Sequence, residues 1–268
     1  MSEAETNSEA IAPKDMVLDS DAKVDVEVIS LMGGAYSIDE KALDEDTIEM
    51  NVMAAIPVRS WFKEAFQPGV KAFPGCFSVG SVVPSVNSPE VQNTDCKTCP
   101  RSQWQGKEQP ECQERRKLVG VRVLPGAAGE KKTINPRLAI LNVPPTSVTG
   151  TKKFPGGWQK YLGQLGISTG LSVKDVVTKI KVKSNAPSMG YRLIFENSGT
   201  VLSQVEVNPA VLVAFRIWAV AEGRREATPP TDKPEGAENV DVVAEAAKKT
   251  QAGREEARKT PTGKGEKF

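Results

Sequence analysis

The chain has 268 residues, 39% hydrophobic and 26% charged, with a formal net charge of +1 and no histidine. Such a composition supports a folded core in one large domain or two small ones. The missing histidine excludes a Ser-His-Asp triad, a Cys-His dyad and a His-ligated catalytic metal.

Other signs of catalysis are missing too. There is no G-x-x-x-x-G-K-[ST] loop, no strand-anchored G-x-G-x-x-G, and no dense carboxylate cluster in the middle of the chain, so no enzyme activity is expected. No apolar run approaches the roughly 18–20 residues that span a bilayer, and no signal-peptide pattern opens the chain. The expectation is a cytoplasmic protein with no membrane partner.

The near-neutral total hides an asymmetry. Residues 1–50 hold 14 acidic and 3 basic side chains, whereas residues 51–222 hold 11 acidic and 22 basic ones. This reads as a basic body with an acidic arm, and a basic body suits a polyanion. The same sum also fits a solvated surface of scattered charge.

In chain order, residues 1–25 are polar and without periodicity, as in a disordered segment. EVISLMGGAYSIDEKALDEDTIEM (27–50) is transitional, with a turn at Gly33-Gly34, and the folded part is expected to begin near Glu49. MNVMAAIPV (50–58) reads as a strand and SWFKEAF (60–66) as a short helix or turn. KLVGVRVL (117–124) and RLAILNV (137–143) read as strands. FPGGWQKYLGQLG (154–166) is a short helix. VVTKIKVK (176–183), GYRLIFE (190–196) and TVLSQVEV (200–207) are strands, the last two paired. NPAVLVAFRIWAVAEG (208–223) is the clearest helix, with Asn208 as cap and Pro209 in its first turn. Beyond it lies a Pro/Gly/Ala/charged tail in which AENVDVVAEAAKK has the composition of a transient helix.

The expected fold is α+β and β-rich, an antiparallel barrel of the oligonucleotide-binding type. The expected layout is an acidic, largely disordered arm at 1–48, a binding domain at 49–222 with an insert at 76–112, and a disordered charged tail at 223–268.

The four cysteines are spaced C-x19-C-x2-C-x12-C, at Cys76, Cys96, Cys99 and Cys112. The C-x2-C turn brings two sulfurs to one ion, and two further thiolates would complete the tetrahedron that structural zinc prefers. Pro100 suits a tight knuckle, and Gly75 lets the backbone bend beside Cys76. Disulfides, a redox C-x2-C pair and four unrelated thiols are the alternatives. A four-sulfur site leaves no open position, so zinc here would be structural. It would hold together a segment with little apolar content.

The runs PGCFSVGSVVPS, DCKTCPRSQW and ECQERRKLVGVRVL resemble a group of tailed-bacteriophage four-cysteine, zinc-knuckle proteins of the single-stranded-DNA-binding type. The preceding WFKEAFQPGVKAFPGC, the later W-x-x-Y helix and the VVTKI strand are similar in order. The resemblance spans roughly residues 50–196. It implies a zinc subdomain built into an oligonucleotide-binding barrel, acting in phage DNA replication or recombination within the host cytoplasm. The C-terminus GREEARKTPTGKGEKF departs from those proteins in lacking an acidic tip.

Sequence-tolerant binding of single strands needs cations along the phosphates and aromatic faces for the bases. The cation candidates are Arg115, Arg116, Lys117, Arg122, Lys131, Lys132, Lys152, Lys153, Lys179, Lys181, Lys183 and Arg192. Lys179, Lys181 and Lys183 fall on one strand face about 6.5–7 Å apart. Such a ladder needs an anion or water to screen it, and an edge strand guarded by lysine is the alternative. The stacking candidates are Trp104, Trp158 and Tyr161, with Trp61, Phe62 and Tyr191 behind them.

The expected function is non-catalytic binding and protection of single-stranded DNA, with RNA not distinguished from it. The acidic arm would compete with DNA for the body or bind a partner. The alternative is a zinc-stabilised adaptor for a replication or recombination protein, such as a polymerase or recombinase.

Overall fold

The computed structural model describes residues 25–32, 35–64, 72–127, 130–149, 157–184 and 191–226. Nine strands and three helices follow in chain order. They are β1 (Val26–Met32), β2 (Ala35–Ile38), β3 (Lys41–Ala42), β4 (Thr47–Trp61), β5 (Cys76–Val79), β6 (Gln113–Leu124), β7 (Thr133–Val143), α1 (Pro145–Val148), α2 (Trp158–Thr169), β8 (Val176–Ser184), β9 (Tyr191–Val201) and α3 (Pro209–Arg224). No helix among the described residues is long and apolar enough to cross a membrane.

All nine strands join one sheet in the order β3-β2-β1-β7-β6-β4-β8-β9, with β5 also paired to β4. Every pairing is antiparallel except β1 with β7. The sheet is curled. The Tyr36 hydroxyl of β2 donates to the Ile180 carbonyl of β8 at 3.0 Å, although four strands separate β2 from β8 in the order. The fold is therefore β-rich α+β around an open, barrel-like sheet.

Both faces of the central strands are buried. Inside the curl, Ile29, Tyr36, Met50, Leu118, Leu141, Ile180 and Phe195 meet Trp158, Tyr161 and Leu165 of α2. On the outer face, Met53, Val119, Val121, Leu138 and Ile140 meet Phe215 and Ala219 of α3. This is why KLVGVRVL is apolar at consecutive positions: alternate side chains feed two cores. A register shift between Val52 and Ala54 changes the face that β4 presents. Gly120 lies opposite it, where a Cβ would come within 2.0 Å of the Asn51 carbonyl oxygen, so only glycine allows that approach.

Several expectations need correction. Among the described residues strands begin at Val26, not near Glu49, because β1 lies parallel to β7 and β2 and β3 extend the same edge. Ser60 and Trp61 end β4 instead of starting a helix, since both still pair with β6 or β5. TVLSQVEV is not a separate strand. β9 runs through to Val201, and a 3-10 turn at Leu202–Gln204 follows. The cap of α3 is as expected, with Asn208 accepting from the Ala210 amide at 2.9 Å and Pro209 in the first turn. The parts of the acidic arm and of the tail at 1–24 and 227–268 lie outside the described residues.

Candidate metal centre and nucleic-acid interface

Cys76 opens β5 opposite Trp61, and Cys112 immediately precedes β6. The chain between them is held mainly by local hydrogen bonds. Ser85 N donates to Phe77 O at 2.7 Å, Glu90 N to Gly75 O at 2.7 Å and Cys96 N to Val82 O at 2.9 Å. Pro100 begins a 3-10 turn directly after Cys99. The Ser102 hydroxyl lies 2.7 and 2.8 Å from the carbonyl oxygens of Cys96 and Cys99. Cys112 N then donates to Arg101 O at 2.8 Å, which returns the last cysteine to the knuckle.

The segment has almost no apolar core. Its buried cluster is Trp61, Cys76 and Cys112. The Arg101 guanidinium stacks 4.4 Å above the Trp61 ring, a cation–π contact. Glu111 accepts from the indole N–H at 2.9 Å and pairs with Arg101. Those two contacts hold the Glu111 carboxyl below the usual carboxylate range.

All four cysteines are free and buried. They share one cavity of about 10 Å³ with Trp61, Arg101 and Ser102. Burial pushes the Cys112 thiol up to about 11 and raises Cys96 as well, while Arg59 pulls both the other way. As a donor set, four thiols on one small cavity fit structural zinc. The sulfurs are not closed on a point. Among the described residues, no group of three or more Cys, Asp or Glu stands as a ready-made metal site. Metal binding would have to replace the thiol protons and draw the sulfurs together.

The run Arg115-Arg116-Lys117 is split by strand alternation. Arg116 faces inward, opposite Val143, and pairs with Glu114. Arg115 and Lys117 face outward. Lys117 Nζ donates to the Glu222 carbonyl at 2.6 Å, capping the C-terminal end of α3. Arg115 lies over the Phe62 ring at 5.7 Å. Burial lowers the pKa of both outward cations. The run thus ties the cysteine segment, the sheet and α3 together, and it is not one phosphate-facing patch.

Arg122 also turns inward. Its guanidinium lies 3.7 Å from Glu27, a carboxylate on β1 that is 1% exposed. Asn135 donates to Glu27 at 3.2 Å, and Arg137 joins it to Asp25 and Asp39. Burial raises the Glu27 pKa, and both arginines oppose that shift. Of the acidic residues of this region, Asp25, Glu27 and Asp39 are therefore paired with cations of the sheet, while Asp44, Glu45 and Asp46 are exposed. Residues 25–226 hold 20 acidic and 25 basic side chains, a smaller excess than the body alone suggested.

The lysine ladder lies on the outer face of β8, which is an interior strand between β4 and β9. That removes the edge-guard explanation. Lys179 stands opposite Glu49 and Glu196, and Lys181 pairs with Glu196 at 2.7 Å. Lys132 takes Glu49 at 2.6 Å. Lys183 is exposed and stands opposite Arg192. Carboxylates screen the ladder at Lys179 and Lys181, and Lys183 is its exposed member.

Trp158 and Tyr161 are not stacking platforms. Trp158 is 1% exposed against Phe195, and the Tyr161 hydroxyl meets Thr178 at 2.8 Å in the core. Trp61 is buried as well. Lys152 and Lys153 lie outside the described residues. Trp104 is different, since it is 63% exposed on the cysteine segment, with exposed Lys97 and Lys107 near it in the chain.

No family model, no curated protein and no solved structure matches this chain.

Proposed function

We propose that this chain is a non-catalytic protein that binds and protects single-stranded DNA, as in phage replication or recombination. The exposed Trp104 carries this reading. A largely exposed indole ring on a polar loop, with exposed Lys97 and Lys107 near it in the chain, is what base stacking requires. The exposed Lys183 would add a phosphate contact on a domain of modest positive charge. The curled sheet is consistent with a barrel of the oligonucleotide-binding type in which residues 76–112 form the insert.

In this account Cys76, Cys96, Cys99 and Cys112 hold one structural zinc. When bound, the ion supplies cross-links that the sparse apolar content of the segment does not. The chain's own residues set the rest: Trp61 and Arg101 fix the knuckle, and Ser102 braces its turn.

Tryptophan fluorescence on adding oligothymidylate tests the reading. Wild-type protein is expected to quench on binding, and Trp104→Phe to lose most of that signal. Quenching unchanged by the substitution would overturn the role of Trp104.

A second reading rests on Val82, Val83, Val86 and Val91, which are all exposed on the same segment. Such a set suits a protein partner, and it favours an adaptor for a polymerase or recombinase. That reading predicts no response to oligonucleotide.

A further inference from the structure

Three arginines lie near the cysteines, and their guanidinium groups are engaged differently. Arg101 donates its Nε–H to Gln92 at 2.7 Å, pairs with Glu111 and lies over Trp61. Arg115 turns to the opposite face of β6, over Phe62. Arg59 faces the cysteines. It stands opposite Ser78 of β5 and Glu114 of β6, two residues before Trp61, which stands opposite Cys76. Strand alternation puts these side chains on one face of the sheet. Cys112 packs against Trp61 as well, and the buried Ser78 hydroxyl hydrogen-bonds Cys96.

The Arg59 guanidinium is not fully used there. One terminal nitrogen pairs with Glu114 at 3.2 Å, and Arg116 takes the other oxygen of the same carboxylate. Two cations thus share one anion. The Arg59 Nε is buried and has no acceptor among the described residues. A buried donor in that state calls for a partner. The Arg59 charge also favours the thiolate forms of both Cys96 and Cys112.

A metal-bound cluster would supply that partner. Four thiolates on one divalent ion leave negative charge in excess, and such an anion is costly to bury without a cation and donors to its sulfurs. We propose that Arg59 is the outer-sphere cation of the four-cysteine site, with its Nε–H held for the thiolates of Cys96 and Cys112. This inference rests on the zinc reading of the segment, and it names a residue outside the cysteines on which metal binding depends. Glu114 keeps the guanidinium in place from the other side.

Cobalt(II) in place of zinc in the full-length chain tests it, because the thiolate-to-cobalt charge-transfer band reports electron density at the sulfurs. Arg59→Met is expected to weaken zinc binding by about 10–100-fold. It is also expected to move the band to lower energy, since sulfurs without the cation release electrons more easily. Glu114→Gln breaks the same ion pair but keeps the cation, so no such shift is expected from it. Should Arg59→Met fail to fold, Arg59→Lys replaces it. Lysine keeps the charge but lacks the planar group and its Nε–H, and it is expected to move the band the same way by less. Unchanged band and affinity in the folded Arg59 variant overturn the proposal and leave the metal site standing. An equal shift in Glu114→Gln also overturns it, because the ion pair alone would then be the cause. Wild-type protein that takes up neither metal overturns the zinc reading and this inference together.

Discussion

Gly75 lies against the face of Trp61, so that a Cβ at that position would come within 2.8 Å of the indole Cζ3. The ring cannot move away cheaply. Cys76 and Cys112 pack against it, Arg101 covers it and Glu111 holds its N–H. Gly75→Ala is therefore expected to cost about 1–3 kcal/mol through overpacking. Urea unfolding measures the loss. A change below a few tenths would show that the knuckle is looser than its contacts imply.

The proposed metal makes a stoichiometric prediction. Purified protein is expected to carry one zinc per chain, released when a mercurial reagent titrates the four thiols. Cys99→Ser is expected to lower zinc content and increase protease cleavage within residues 76–112. Metal-free protein with four thiols reacting at once would remove zinc from the account.

Trp104 and Trp158 separate binding from folding. Trp158→Ala is expected to cost about 3–5 kcal/mol of stability by emptying the inner core. Trp104→Ala is expected to leave stability within about 0.5 kcal/mol. It should weaken single-strand binding by about 1–3 kcal/mol. Thermal melts and oligonucleotide titrations of both variants check this. The reverse pattern would contradict the burial of the two rings.

Asp39 gives a pH dependence. The Val28 amide and Arg137 hold its carboxyl below the usual value of 3.8. A depressed carboxylate stabilises the fold above its unfolded pKa, and that contribution is lost as pH falls through the folded value. The β1–β2 edge should loosen in acid below about pH 4, and Asp39→Asn should flatten that part of the profile. Glu27 acts in the opposite sense, because burial raises its pKa. Exchange rates of β1 amides between pH 5 and 3 read the difference.

What the sequence disclosed depended on how local the cause was. The α3 cap at Asn208 and Pro209 and the VVTKIKVK strand were legible because neighbouring residues determine them. The cysteine spacing was legible too, including the turn at Pro100. β1 was not, because Glu27 and the acidic residues flanking the strand look like a solvated arm until Arg122 and Arg137 are brought to Glu27 across more than ninety residues. Trp158 and Tyr161 looked like platforms beside lysines, and only the curl of the sheet makes them core. The Arg115–Lys117 run looked like one patch because its members are adjacent in the chain, whereas strand alternation sends them to different partners. The shielding of Lys181 by Glu196 is likewise a matter of register.

The most direct test of the central claim is a fluorescence-anisotropy titration of a labelled thirty-nucleotide single strand, with duplex competitor, across a salt series. The account predicts binding that duplex does not displace and that weakens with salt by about −0.7 in log–log slope for each phosphate neutralised. Lys183→Ala should make that slope shallower. Absence of binding even at low salt would contradict single-strand binding and leave the exposed valines of the cysteine segment as the surface to pursue.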